Sequence, residues 1–162
     1  MSKVYLILGS NIGNRRFYIQ KAIDKISLLG FNNIRVSSFF ETEPWGVSHQ
    51  MSYYNVALEM EYPQKPFQLM NKLKKIEKQL GRKEKGKYLP RTIDIDVILW
   101  GNMLIDSNSL QIPHPRMQDR NFVLTPLIEL NPKLFHPILQ KKISDLQLLC
   151  KDSLVVKKIE FR

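Results

Sequence analysis

Residues 90–100, with the sequence PRTIDIDVILW, carry the alternation that most restricts how this chain folds. In an extended strand, alternate side chains point to opposite faces, so Ile93, Ile95 and Val97 share one face. Asp94 and Asp96 then share the other, with their carboxylates about 6.5–7 Å apart. Aspartate is a poor strand former, and two like charges on one face repel each other unless a positive charge lies between them. The pattern predicts a half-buried strand whose polar face is either solvated or holds a cation.

Magnesium is the cation that best suits two parallel carboxylates, because it takes oxygen ligands from one or two carboxylates and from substrate phosphates. Arg91 lies at the entrance of the strand, within reach of a phosphate bound there. A solvated strand face is nevertheless the commoner reason for an isolated Asp-x-Asp pattern. The remaining motifs must therefore decide between a metal site and a solvated face.

The hydrophobic periodicity predicts four core strands and two helices in the order βαββαβ, the ferredoxin-like pattern. The strands are residues 4–8, 34–40, 56–62 and the aspartate strand, and the helices are residues 15–29 and 66–80. We expect an α+β fold with an antiparallel or mixed sheet and helices on one face. Loops and C-terminal segments would cover the other face, giving three α-β-α layers. Residues 1–162 would form a single domain.

Local signals define the ends of these elements. Asn14 is a suitable N-cap for the first helix, and Gly30 and Gly81 are suitable C-terminal glycines. Phe67 is expected on the core face of the second helix. Residues 122–130 read as a short apolar helix or turn, residues 103–105 and 154–159 as short strands, and the chain after Pro132 as peripheral.

The formal net charge of +10 indicates a polyanionic partner such as a nucleotide, a nucleic acid or a membrane surface, although many lysines are scattered. A single cysteine, Cys150, allows no internal disulfide bond. The N-terminal apolar run, residues 4–8, is too short for a signal peptide or a membrane span. We therefore expect a cytoplasmic protein without a membrane partner.

Several motifs allow both a structural and a functional interpretation. The GSNIGN turn, residues 9–14, is either a plain strand-to-helix turn or a phosphate cradle, although it matches no standard nucleotide-binding loop. Glu77, near a helix C-terminus, either pairs with a lysine or is functional. The basic segment 82–89 is either a solvated charge run or a loop that closes over phosphates. His114 lies between two prolines, which fixes its backbone.

Aromatic and amide residues follow the rigid loop that contains TEPWG, residues 42–46. Trp45 and Tyr53 are core or rim residues on one interpretation and platforms for a flat ligand on the other. Asn55 has a donor and an acceptor with which to read the edge of a heterocycle.

Together these motifs resemble the 6-hydroxymethyl-7,8-dihydropterin pyrophosphokinases, a family of folate-pathway enzymes. The matching pieces are LGSNIGN, TEPWG, Tyr53 with Asn55, EKQLGR, PRTIDIDVILWG and IPHPRMQDRNFVLTPLIEL, in order between residues 8 and 130. The resemblance implies transfer of a whole pyrophosphate from ATP to the pterin hydroxymethyl oxygen, with release of AMP.

The resemblance also implies roles for individual residues. Asp94 and Asp96 would ligate two Mg²⁺ ions and take part in catalysis together with Arg82 and Arg91. The residues that would bind ATP are Glu77, Arg82, Arg91, His114 and Arg120. Those that would bind the pterin are Thr42, Pro44, Tyr53, Asn55 and Phe122, with Tyr53 and Phe122 sandwiching the flat ring.

The chain departs from the family pattern in the basic segment. Glu84 stands near the place of a second arginine, for which Lys83 or Lys85 would substitute without the bidentate grip of arginine. Leu89 replaces a frequent glycine, and Tyr88 a tryptophan of some members. The segment is also one residue shorter than in some relatives. These changes affect the expected closing loop and the turnover rate, and they leave the two aspartates in place.

Two other functions share parts of this pattern. An RNA-recognition module has the same element order, but it stacks bases on strand aromatics, where this chain carries Asp94 and Asp96. Another magnesium phosphotransferase or nucleotide hydrolase would share the two aspartates. Tyr53, Asn55 and Phe122, the residues expected to bind the pterin, argue against it. We therefore expect small-molecule substrates, no nucleic acid partner and a monomer.

Overall fold

The computed structural model of the protein describes residues 2–43, 50–83 and 89–161. The elements, in chain order, are β1 (Lys3–Ser10), α1 (Arg15–Ser27), β2 (Asn32–Val36), β3 (Phe39–Thr42), β4 (Tyr53–Glu61), α2 (Pro66–Gln79), β5 (Asp94–Trp100), β6 (Ile105–Asp106), β7 (Gln111–Ile112), a 3-10 helix (Met117–Asp119), α3 (Asn121–Leu130), β8 (Phe135–His136), β9 (Lys141–Lys142), α4 (Ile143–Leu149) and β10 (Lys157–Ile159). The described residues thus form an α+β fold, as the sequence predicts. They contain four α-helices, whereas the sequence analysis expects two core helices and a short apolar helix or turn at residues 122–130.

The main sheet has the strand order β10-β3-β4-β1-β5, and β2 also pairs with β4. Each pairing in this sheet is antiparallel. The apolar run of β1 lies in the middle of the sheet, buried from Val4 to Ser10. β1 therefore lies between Asn55 of β4 and the two aspartates of β5, Asp94 and Asp96.

Two hydrophobic clusters cover the two faces of the sheet. On one face, α1 and α2 pack against Leu6 and Leu8 of β1. On the other, α3 and α4 pack against Tyr5 and Ile7. This alternation follows from the period of two in a strand.

The second predicted strand, residues 34–40, is interrupted in the structure. Ser37 separates β2 from β3, and its hydroxyl accepts a hydrogen bond from Ala57 N at 2.8 Å, while Ser37 N donates to Ala57 O at 2.9 Å. The side chain thus takes the place of a backbone acceptor in the ladder. A polar side chain that bonds the neighbouring strand in place of the backbone interrupts regular pairing, which hydrophobic periodicity does not reveal.

Other boundaries confirm or correct the predictions. Asn14 caps α1 by accepting from Phe17 N at 3.0 Å, and Gly81 follows α2 with φ of +86°. Phe67 is 42% exposed, so its expected core position is wrong, because it lies in the first turn of α2, away from the buried stripe. The chain after Pro132 is less peripheral than expected, since Ile143 and Leu146 of α4 are buried. None of the helices in the described ranges is long and apolar enough to cross a membrane.

Candidate active site

A cavity of about 620 Å³ lies along β5, the outer strand of the sheet beside β1. α2 contributes to one side of it, and the segment 108–122 to the other. The sheet register places Gly9 opposite both Asn55 of β4 and Asp94 of β5, and it places Ile7 opposite Asp96. Neighbouring strands lie about 4.8 Å apart, so Asn55 and Asp94 stand two strand spacings apart across Gly9.

The structure brings together every predicted site residue that it describes. The residues that line this one cavity are Thr42, Tyr53, Asn55, Glu77, Arg82, Arg91, Asp94, Asp96, His114, Arg120 and Phe122. Pro44 and Trp45 lie outside the described residues, as do Glu84, Lys85 and Tyr88 of the basic segment. Residues from distant parts of the sequence thus share a single binding space.

Asp94 is held between two arginines at the bottom of the cavity. Arg82 Nη1 donates to Asp94 Oδ1 at 2.7 Å, and Arg91 Nη1 donates to Asp94 Oδ2 at 3.1 Å. The acidic side chain thus holds two guanidinium groups in the lining of the cavity. Guanidinium groups suit this purpose because they bind phosphate oxygens in a bidentate manner.

Glu77 belongs to the same cluster, and among the described residues its ion pair is with Arg82 and not with a lysine. It accepts a hydrogen bond from Arg82 Nη1 and a second from Ile95 N, the latter at 2.8 Å. Burial and the nearby Asp94 raise the pKa of Glu77, although Arg82 opposes this. Burial disfavours the charge of Arg82, yet Asp94 and Glu77 outweigh it and raise the arginine pKa. Glu77 therefore ties the end of α2 and the start of β5 to Arg82.

Asp96 carries the most perturbed carboxyl group of the site. Burial, followed by the charges of Asp94 and Glu77, raises its pKa to about 8, although Arg120 and Arg82 oppose this. An uncompensated carboxylate beside two others is the environment that a divalent cation neutralises. Oxygen donors on one strand face suit Mg²⁺. Within the described residues no third His, Cys, Asp or Glu completes a metal cluster, so further ligands would have to come from phosphate or water.

His114 is held as a neutral ring. Its Nδ1 accepts a hydrogen bond from Arg116 N at 3.2 Å, and its own backbone N donates to Ile98 O at 2.9 Å. Burial, and then the charge of Arg120, lowers the pKa of His114 to about 4. A neutral ring with an occupied Nδ1 carries its proton on Nε2, which is then available as a hydrogen-bond donor.

The opposite end of the cavity has aromatic and amide side chains. Asn55 is only 3% exposed, and its Nδ2 donates to Leu8 O at 3.4 Å. Asn55 Oδ1 and Thr42 Oγ1 are buried, and neither has a hydrogen-bond partner among the described residues. Tyr53 and Phe122 line the same space. Buried polar atoms in a native structure are normally paired, so these two oxygens are candidate acceptors for a polar ligand.

The GSNIGN turn holds two parts of the site in place, a role that the sequence analysis did not identify. Asn11 Oδ1 accepts from Arg91 N at 2.8 Å, and Asn11 N donates to Arg91 O at 3.1 Å. Asn11 Nδ2 also donates to Gln50 Oε1 at 2.8 Å. An asparagine that is 1% exposed in a turn needs such partners, but the sequence does not say which residues supply them.

The model of the family described as 7,8-dihydro-6-hydroxymethylpterin-pyrophosphokinase (HPPK) matches residues 5–132. The chain belongs to the HPPK family. The chain is 40% identical over 146 residues to 2-amino-4-hydroxy-6-hydroxymethyldihydropteridine pyrophosphokinase of Aquifex aeolicus, and the match covers 90% of each chain. It is 39% identical over 127 residues to the enzyme of the same name from Bacillus subtilis, covering 78% of this chain and 76% of that protein.

The HPPK-DHPS of Plasmodium falciparum has a similar fold. Its A437G structure with STZ-DHP superimposes with a TM-score of 0.72 over 91% of this chain, at 13% sequence identity. The chain spans 45% of the length of that structure. At this identity the likeness shows the fold alone. The family model and the two bacterial relatives named above, which this chain matches over 90% and 76% of their length, carry the family assignment.

Proposed function

We propose that the cavity along β5 binds ATP and 6-hydroxymethyl-7,8-dihydropterin side by side and aligns the pterin hydroxyl with the β-phosphorus of ATP. As a member of its family the protein is a pyrophosphokinase, which transfers pyrophosphate from ATP to this pterin in folate biosynthesis. One observation carries the proposal: the residues expected to bind the pterin and the residues expected to bind the phosphates of ATP line the same cavity. Asn55 and Asp94 flank the same residue of β1 within it.

In the pterin half, Asn55 and Thr42 would meet the polar edge of the ring. Their unpaired buried oxygens, Asn55 Oδ1 and Thr42 Oγ1, would accept hydrogen bonds from ring N–H and amino groups. Tyr53 and Phe122 would stack on the two faces of the ring, an arrangement that favours flat heterocycles. Pro44 would contribute to this half through its backbone.

In the nucleotide half, Arg82 and Arg91 would exchange one bond to Asp94 for bonds to phosphate oxygens. Arg120 would add a third guanidinium group, and His114 would donate from Nε2 to a phosphate or ribose oxygen. These cations would neutralise the charge that develops as AMP leaves, which is the main catalytic contribution in phosphoryl-type transfer. Glu77 would keep Arg82 in place before the nucleotide arrives.

The carboxylates Asp94 and Asp96 would hold two Mg²⁺ ions. The fit rests on the oxygen donor set and on the raised pKa of Asp96, which marks a carboxylate cluster short of positive charge. When bound, Mg²⁺ would polarise the β-phosphorus and neutralise phosphate charge. The two side chains would then set the position of the triphosphate relative to the pterin.

We also propose the ferredoxin-like arrangement for the core of the sheet, with residues 1–162 as a single domain that acts as a monomer in the cytoplasm. The order β3-β4-β1-β5 supports the arrangement when β2 and β3 are counted as one interrupted strand. The two hydrophobic clusters on opposite faces of the same sheet support a single domain. This domain would bind small-molecule substrates and no nucleic acid.

The proposal is tested by incubating the protein with ATP, Mg²⁺ and the pterin and separating the nucleotides. We expect AMP in an amount equal to the pyrophosphorylated pterin, and no AMP when the pterin or Mg²⁺ is left out. ADP as the product would show that the γ-phosphorus is attacked and would contradict the proposed alignment. Magnesium-independent, salt-sensitive binding of single-stranded RNA, without nucleotide turnover, would favour the RNA-binding function instead.

A further inference from the structure

Gly9 lines the cavity, and the side chain of Asn55 packs closely beside it. The register of β1 places it opposite Asn55 on one side and Asp94 on the other. A Cβ atom built at Gly9 would lie 2.6 Å from Asn55 Nδ2, 3.4 Å from Tyr53 Cδ1 and 3.7 Å from Asn55 Cγ. Real Cβ contacts almost never fall below 3.0 Å, so the Asn55 amide lies in the space that a side chain at Gly9 would take.

The backbone does not itself require glycine at this position. Positive φ angles occur at Gly13, Gly30, Gly81 and Gly101, and Gly9 is not among these glycines. It belongs instead to the regular antiparallel ladder of β1 and β4. Glycine in a strand interior costs stability and often marks a close approach of another group. At Gly9 that group is the Asn55 side chain.

Asn55 has little freedom to move away from an added atom. It is 3% exposed, its backbone lies between β1 and β3 in the ladder, and its Nδ2 donates to Leu8 O across β1. Tyr53, on the same side, would be at ordinary contact distance from the new atom. A methyl group at Gly9 would therefore act mainly on the Asn55 amide, and it would displace Nδ2 together with the unpaired Oδ1 of the same amide.

We propose that Gly9 is a positioning residue for pterin recognition, because the missing side chain leaves room for the Asn55 amide beside β1, in the place from which its unpaired Oδ1 would bond the pterin. The inference rests on the proposed role of Asn55 in binding the pterin. It gives the first glycine of the GSNIGN turn a function that is distinct from turn formation and from phosphate binding. Gly9 would act on the pterin half of the site and leave the nucleotide half intact.

The test is a double-mutant cycle of Gly9→Ala and Asn55→Ala, with pterin binding measured calorimetrically in the presence of a non-hydrolysable ATP analogue and Mg²⁺. Gly9→Ala should weaken pterin binding about tenfold, the loss of roughly one net hydrogen bond. It should leave the KM for ATP within about twofold. In the Asn55→Ala background, where the clashing amide is absent, the same substitution should have no further effect on pterin binding. Unchanged pterin binding in Gly9→Ala, or equal losses in both backgrounds, would overturn the inference.

A ligand-free measurement separates this inference from the proposed function. In ¹⁵N-labelled protein without substrates, Gly9→Ala should shift the side-chain amide resonances of Asn55, and unmoved resonances would refute the steric contact. If Gly9→Ala does not fold, Asn55→Ala should restore folding by removing the clash, and failure to restore it would also count against the inference. Pterin binding that is unaffected by Asn55→Ala, with the resonance shift present, would instead contradict the proposed role of Asn55.

Discussion

Replacing Asp96 by asparagine should stabilise the ligand-free protein while abolishing its activity. The substitution keeps the size of the side chain and removes the carboxyl group whose pKa is raised from 3.8 to about 8. Between these two values the folded state holds a proton that the unfolded state releases. The contribution of Asp96 to the stability of the wild-type protein therefore falls as the pH rises from about 4 to 8, and the variant lacks this loss.

The size of the effect follows from the pKa difference. At pH 7 the unfolded carboxyl is ionised and the folded one is largely protonated, so about three pH units separate the two states, equivalent to about 4 kcal/mol. Asp96 is only partly buried at the edge of an open cavity, and water reduces this figure to about 2 kcal/mol. For a chain of this length that corresponds to a rise in Tm of about 4–8 °C.

The assay is thermal unfolding at pH 4, 7 and 8.5 without metal or nucleotide, with Asp106→Asn as the matched control at an exposed position. The difference between the Asp96 variant and the wild type should be small at pH 4 and largest at pH 8.5. Mg²⁺ with an ATP analogue should raise the Tm of the wild type more than that of the variant. An Asp96→Asn protein that is less stable at pH 8.5, or that still turns over, would refute the reasoning.

The remaining predictions concern individual contacts. Arg82→Ala should lower kcat at least tenfold and change pterin affinity by less than about threefold, since the lost group is proposed to bind phosphate. Lys75→Ala on the exposed face of α2 should leave both unchanged. A larger effect on pterin affinity than on kcat, measured by titration and initial rates, would contradict the assignment. Phe122→Ala should weaken pterin binding about tenfold with little change in the KM for ATP, and equal effects on both would argue against stacking. Tyr5→Phe should cost about 1–2 kcal/mol in denaturant unfolding, because the hydroxyl that bridges Glu59 and Asn131 is lost; an unchanged midpoint would show that this buried network contributes nothing.

The sequence predicts a secondary-structure element correctly where its residues strongly prefer one backbone conformation or one position in the element. The alternation around Asp94 and Asp96 predicts β5 and its two faces, and the caps at Asn14 and Gly81 predict helix ends that the structure shows. These features depend on local periodicity and backbone preference. The residues gathered by the cavity were predicted from motifs shared with relatives, which encode distances that periodicity alone does not contain.

The features that were missed depend on contacts between distant segments. The break at Ser37 depends on a hydrogen bond with Ala57. Ile143 is buried because α4 packs on the sheet face opposite α1 and α2, and the backbone of Arg91 is held by a hydrogen bond to Asn11. Glu77 accepts a hydrogen bond from Ile95 N, which is 18 residues further along the chain. This bond orients the carboxylate towards Arg82, and without it the sequence does not distinguish Arg82 from a nearby lysine as the partner. In each case the sequence gives a polar or apolar residue, and only the tertiary structure supplies its partner.

The short strand β10 has a consequence for the solution behaviour of the protein. Its residues Lys157–Ile159 pair with β3 along one side of the main sheet, so β3 is not its outermost strand. Without β10, β3 would be the outermost strand and would offer unpaired backbone groups to other chains, which promotes aggregation. Lysine side chains on an outermost strand oppose such pairing. Lys157 and Lys158 occupy that outermost position. Removal of β10 should therefore first cause self-association at high protein concentration, before it changes the activity of the site along β5, which lies at the other side of the sheet.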